Sequence, residues 1–445
     1  MLELTYRRIL IITLPLMFGT FVQSVITITD ASFVSELGNT AYNAVGQGGM
    51  MYIALFMLSQ GLADGTQITI AKKYGEQDFS AVGRTLFTAH ILQFLLALFI
   101  FFAFIFLADI LILKIAKSEA IGEAMITFLQ YRSWGIFFAA LQVSMVAFFI
   151  GLGKTNIIII STLILAVCNI VLDYGLIFGN FGCPELGLKG AAIASSCSEA
   201  ISFLFLLIYA SKAGHLQKFQ FSIRQKFDFI IAKKLMFLST PLMFQSMLAL
   251  STWLVFFSMI EHIGHIELEI SHNIRYMYFI AFVPIFGFAA ATKTYVSYLV
   301  GRKNYKAIPP TLFKIMLLSL LSILLLFHGA LLYPETLIGI VAHNPDASAE
   351  VIQKSAEALQ FVSGSIFLFA LVIVPFHAIS ALGRTGVSFT IELISVSTYL
   401  LACYLFIELW QWDIVNIWTV EYIYFSVIGL ISTVFVVFYM RRFKT

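Results

Sequence analysis

Residues 9–38 read ILIITLPLMFGTFVQSVITITDASFVSELG. No charge interrupts the run from Ile9 to Thr29, and roughly 20 apolar residues are enough to cross a bilayer as a helix. Asp30 then falls inside the same apolar run, which continues through Val34. A carboxylate near membrane depth costs about 2.5–3.5 kcal/mol on insertion scales, so it needs a partner or a function. Gln23, Thr27 and Asp30 stand at i, i+4 and i+7 and make one polar stripe on a helix. Pro15 lies within that helix and predicts a bend, because its ring meets the carbonyl one turn back. The competing reading of Asp30 is a packing residue capped by neighbouring hydroxyls.

Composition sets the class. The chain has 445 residues, 60% of them hydrophobic, 15% aromatic and only 11% charged. Soluble domains carry about 25% charged residues, so this is a polytopic, all-α membrane protein. A net charge of +3 gives no basis for a nucleic-acid partner. Of the four cysteines, Cys168, Cys197 and Cys403 lie in apolar spans, which implies no disulfide framework. The apolar run after Arg7 and Arg8 is too long for a signal peptide, and no small-residue cleavage site follows it.

Apolar stretches of helical length fall at about 9–34, 44–71, 86–113, 124–150, 156–180, 187–211, 235–260, 269–300, 311–333, 358–382, 387–409 and 420–440, predicting twelve spans. Numbering the loops in order, lysine and arginine concentrate at the termini and even loops. Arg7, Arg8, Lys72, Lys73, Lys154, Arg302, Lys303, Arg384 and Arg441 are examples. The odd loops carry acids such as Glu36, Glu119, Glu185 and Glu261. The positive-inside rule therefore places both termini in the cytoplasm, as an even span count requires. The basic stretch 212–234 reads as a cytoplasmic connector between two six-helix halves. The expected lobes are 1–215 and 235–445, joined by 216–234. The expected setting is the cell (inner) membrane.

The halves repeat. PLMF occurs at 15–18 and again at 241–244, an offset of 226. The same offset lays YGEQDFSAV (74–82) on VGRKNYKAI (300–308), pairing Gly75 with Gly301, and Gly61 with Gly287. GLGKT at 151–155 resembles ALGRT at 381–385 at an offset of 230. Copies of six helices share one orientation, so they are expected to be related by a pseudo-twofold axis along the membrane normal. The repeat fails at its acids: Asp30 maps onto Phe256 and Asp64 onto Ala290.

The fifth span, IIIISTLILAVCNIVLDYGLIF, offers partners for Asp30. Asn169 and Asp173 are one turn apart on one face. Carboxylate and amide oxygens together suit a hard cation such as Na⁺. Two close carboxylates also favour holding a proton between them, because both cannot ionise cheaply. The residues alone do not choose between H⁺ and Na⁺, and a polar knot that only holds the bundle together is the rival. The sixth span adds Ser195 and Glu199, with small residues that permit close packing. Gln23, Thr27, Asp64 and Glu199 are the further candidates for lining the pocket. Lys293 is expected to snorkel toward the cytoplasm, Arg275 to lie near the outer end and Glu392 to be structural near the inner end. His328 and His377 are isolated imidazoles. No metal-spaced cluster, nucleophile elbow or phosphate loop is present, and GLGKT lacks the Walker spacing.

These pieces together resemble the multidrug and toxic compound extrusion (MATE) family along nearly the whole chain. They are Pro15 with DASFVSELG at 30–38, GLADGTQ at 61–67, the Gly75 turn, GLGKT at 151–155, NIVLD at 169–173 and GLKGAAIAS at 187–195. The resemblance implies a two-lobed bundle that exports amphipathic, often cationic compounds in exchange for Na⁺ or H⁺. It implies no enzyme activity and no cofactor beyond the coupling ion. It also implies small-molecule substrates within a lipid bilayer and no obligate protein partner. Carried over by position, the amino-lobe cation site resembles Asp30, Asn169, Asp173 and Ser195, with Ser195 in place of the usual threonine, and Pro15 matches the helix-bending proline. Two departures stand out: the position after Pro241 offers only Gln245 where one branch has an acid, and the tenth span has no acid. Both point to the DNA-damage-inducible or archaeal-like branch. The alternative is a flippase for a lipid-linked saccharide or other lipid precursor, which Arg275 and Lys293 keep open.

Overall fold

At bilayer depth a backbone amide has no water to bond, so an apolar run closes its hydrogen bonds internally and becomes helix. In the computed structural model, which describes residues 2–115, 118–222, 224–341 and 349–442, the apolar runs have become long helices. They are α1 (Tyr6–Ser35), α2 (Asn39–Gly75), α3 (Phe79–Phe106), α4 (Glu119–Gly151), α5 (Asn156–Phe178), α6 (Leu188–Lys212), α7 (Phe229–Ile263), α8 (His265–Gly301), α9 (Ile308–Phe327), α10 (Ala349–Ala381), α11 (Thr385–Tyr404) and α12 (Thr419–Arg441). No strand occurs among the described residues. By length and composition eleven of these segments could cross a membrane. The exception is α2, whose 37 residues suffice in length but whose glycines, glutamines and threonines lower its hydropathy. The third span ends earlier than expected, at Phe106, and a short separate helix at Ala108–Ile115 takes up the rest.

The internal repeat is visible in the helix bounds. α2 and α8 are each 37 residues long and their limits differ by the same 226 positions. α4 and α10 are each 33 residues long, at the later offset of 230. The turns match too: Gln77 and Lys303 both adopt φ near +60°, and Gly153 and Gly383 in the paired GLGKT and ALGRT turns also have positive φ, +67° and +79°. The first turn is fixed by Asp78, whose carboxylate caps α3 by accepting from the Ala81 amide at 3.0 Å. That bond, to a donor at a helix N-terminus, holds the Asp78 carboxyl below the usual carboxylate range.

The chain divides into two compact units. One comprises Met1–Met17 with Leu248–Thr445, the other Phe18–Met247. The boundary in α1 falls just after Pro15, so the proline stands where the chain leaves one unit for the other. Paired glycines serve paired contacts inside each unit. A Cβ on Gly61 of α2 would strike the Met243 backbone of α7, and a Cβ on Gly287 of α8 would press on Thr13 and Met17 of α1. In the unit built on Phe18–Met247, serines and a glutamine tie α4, α5 and α6 together. Ser161 Oγ lies 2.8 Å from Ser202 Oγ, and Gln142 Nε2 donates to Ser202 Oγ at 2.8 Å. Gly190 lets α6 approach the Leu176 carbonyl of α5 without a side chain between them.

Candidate cation site

On α5, which α6 approaches closely at Gly190, Asp173 and Asn169 stand one turn apart, each 1% exposed. The last turns of α1 bring Asp30 to them. The Asp30 and Asp173 carboxyls lie within hydrogen-bonding reach of each other. Yet Asp30 Oδ1, both Asp173 carboxylate oxygens and Asn169 Oδ1 are buried with no hydrogen-bond donor among the described residues. The Asn169 side chain lies within hydrogen-bonding reach of Asp173. Two carboxyls and an amide thus gather in one buried place with little to satisfy their oxygens. Buried acceptors left unpaired are costly, and a bound proton or cation would relieve that cost. An all-oxygen set fits a hard cation, and a facing carboxyl pair fits a shared proton equally well.

Beside this pair is an ion pair that the spacing of the sequence does not reveal. Arg132 of α4 donates from Nη1 to Glu199 Oε2 of α6 at 2.9 Å, and Nη2 engages Oε1 as well. The guanidinium stacks over the Tyr52 ring of α2 at 4.1 Å. Both charges act on Asp30. Gly135 makes room for the arrangement: a Cβ there would collide with the Arg132 guanidinium and the Ser196 hydroxyl. Glu199, expected as a pocket candidate, is therefore committed to a bidentate partner. Arg132 and Tyr52 were missed. The available signal was an arginine alone in an apolar span, which at membrane depth demands an acid.

The other candidates are placed less centrally. Ser195 is half-buried on α6, its carbonyl accepts from Ser198 Oγ at 2.9 Å, and no bond among the described residues joins its hydroxyl to the carboxyl pair. Gln23 and Thr27 are on the exposed side of α1, where Thr27 Oγ1 donates to the Gln23 carbonyl at 3.1 Å. Asp64 is half-buried in α2 and has an interaction partner. Pro15 is within an unbroken α1. Among the described residues no group of three or more His, Cys, Asp and Glu side chains gathers as a metal site.

A bundle of long apolar helices built on an internal repeat, with buried acids within it, defines a polytopic helical membrane protein. The MatE family profile matches residues 15–175 and 241–405, and the chain belongs to that family. Its members are transporters rather than enzymes. The chain is 26% identical over 222 residues to the probable multidrug resistance protein NorM of Agrobacterium fabrum, covering 49% of this chain and 47% of that one, about half the relative's length. It is 24% identical over 415 residues to the NorM of Thermotoga maritima, covering 93% and 88%. A MOP superfamily transporter from Pyrococcus furiosus has the same fold, with a TM-score of 0.90 over 99% of this chain and 97% of that one, at 19% identity.

Proposed function

We propose that the chain is a cation-coupled antiporter that exports amphipathic, cationic compounds by alternating access, with H⁺ or Na⁺ as the coupling ion. The observation behind the proposal is the buried carboxyl pair of Asp30 and Asp173 with Asn169 beside it, several of whose oxygens have no hydrogen-bond partner among the described residues. The names of the NorM relatives, as probable multidrug resistance proteins, support drug export.

Coupling follows from differential affinity. An ion shifts a two-state equilibrium only by as much as it prefers one state. Asp173 and Asn169 sit on α5, whereas Asp30 sits on α1, the helix that carries Pro15. Movement of α1 relative to α5 therefore assembles or separates the ligand set. With the carboxyls together the site holds its ion; with α1 displaced it loses an oxygen donor and releases it. In this reading drug binding competes with the ion directly or through the bend at Pro15. Both termini and the 212–234 stretch are cytoplasmic, and the chain resides in the cell membrane.

The test is flux in proteoliposomes. A fluorescent amphipathic cation should leave against its gradient when a pH or Na⁺ gradient is imposed, and should stop when the gradient is collapsed. Gradient-independent flipping of a labelled lipid, with no drug efflux, would refute the proposal and favour a flippase.

A further inference from the structure

The unit containing Leu248–Thr445 buries two carboxyl groups of its own, Glu392 on α11 and Glu421 on α12, each 2% exposed. Their hydrogen bonds are reciprocal. Tyr399 of α11 donates to Glu421 Oε1 at 3.2 Å, and Tyr424 of α12 donates to Glu392 Oε1 at 2.6 Å. Each helix thus supplies one acid and one tyrosine, and both bonds cross the α11–α12 seam. The two phenol rings meet edge-on at 5.8 Å, which joins the pairs into one cluster. Among the described residues no ion pair connects either carboxyl to a lysine, arginine or histidine. The titratable groups that face Glu421 are Tyr399, Tyr278, Tyr424 and Cys403, and the one that faces Glu392 is Tyr424. The indole of Trp253 on α7 also approaches Glu421. All of these are neutral groups.

An ionised carboxylate buried with neutral neighbours at membrane depth is far costlier than a neutral acid, because nothing replaces its lost hydration. A phenol hydroxyl that donates to the carboxyl carbonyl satisfies the neutral acid. The same bond becomes charge-assisted, and stronger, if the proton leaves. The arrangement tolerates both states and favours the protonated one. We propose that Glu392 and Glu421 form a proton-binding site in this unit, holding exchangeable protons at neutral pH. On ionisation the acid O–H breaks, the proton passes to water, and the tyrosine O–H remains on its carboxylate, tightening α11 against α12. Tyr424 is half-buried. The site does not involve Asp30 or Asp173.

Infrared difference spectra of the purified protein, taken on stepping from neutral to alkaline pH, test this. The parent should lose a protonated-carboxyl carbonyl band reversibly. Glu392→Gln with Glu421→Gln should remove the share of that band due to these acids, while Asp30→Asn should leave that share in place. If the double variant does not fold, Tyr399→Phe with Tyr424→Phe keeps the packing and should shift the band upward, because the carbonyl loses its donor. A parent band unchanged by either double replacement, or one that does not titrate, overturns the proposal and leaves a purely structural latch.

Discussion

Breaking the Arg132–Glu199 pair should destabilise the protein in an order set by the acids nearby. The pair is bidentate, with side chains only 10% and 16% exposed. Removing one member of a buried pair typically costs about 3–5 kcal/mol, because a desolvated charge is left alone. The two halves are not equivalent here. Glu199→Gln leaves the guanidinium over Tyr52 with Asp30 in electrostatic range, so part of the lost attraction is recovered. Arg132→Met leaves Glu199 as a third acid beside Asp30 and Asp173. We expect Arg132→Met to reach the upper end of that range, roughly 5 kcal/mol, and Glu199→Gln to fall nearer 3. The combined replacement should cost less than the sum by more than about 1 kcal/mol, a coupling typical of residues in contact. The assay is denaturant unfolding of the four proteins in one detergent, read as a double-mutant cycle. Adding Asp30→Asn should recover part of the Arg132→Met loss, since one of the three acids is then neutral. Additive costs, or Glu199→Gln worse than Arg132→Met, would refute the electrostatic argument.

Further expectations test the frame around the site. Asp78→Ala should cost about 1 kcal/mol through the lost cap of α3. Because the Asp78 carboxyl is depressed in the folded chain, its contribution is present above the ordinary carboxylate range and is lost as pH falls through the depressed value, which an acid unfolding titration against the variant detects. Gly61→Val forces a branched side chain into the Met243 backbone and should abolish stable expression, whereas Gly46→Val, with no atom within 4 Å of its added Cβ, should not; fluorescence size-exclusion chromatography separates the two. A cysteine at Ser222, in a chain freed of its native cysteines, should resist an impermeant thiol reagent in intact cells and react after permeabilisation. Labelling in intact cells would reverse the orientation.

Local pattern made most of the frame legible. A bilayer demands long apolar helices, and the two offsets of 226 and 230 reappear as equal helix lengths and matched positive-φ turns. Asp30, Asn169 and Asp173 were legible because a charge or amide inside an apolar run is conspicuous and because i, i+4 spacing fixes a shared face. Arg132–Glu199 was not, since its partners are 67 residues apart and only the packing of α4 on α6 joins them. The same holds for the crossed Tyr399–Glu421 and Tyr424–Glu392 bonds, where Glu392 read as an isolated residue near the inner helix end. The sequence suggested lobes 1–215 and 235–445 joined by 216–234, and the compact units by contact are Met1–Met17 with Leu248–Thr445, and Phe18–Met247. Contacts such as Gly287 on Met17 decide that, and no hydropathy profile contains them.

The central claim is that Asp30 couples ion to substrate. Asp30→Asn keeps the shape and removes the charge, so the variant should fold, the membrane favouring the neutral group by a few kcal/mol. The decisive measurement is gradient-driven efflux from proteoliposomes alongside equilibrium drug binding by the same preparation. The account predicts retained binding with loss of efflux, because the ion no longer distinguishes the two facing states. An Asp30→Asn protein that exports its substrate as fast as the parent would contradict it and make Asp30 a packing residue.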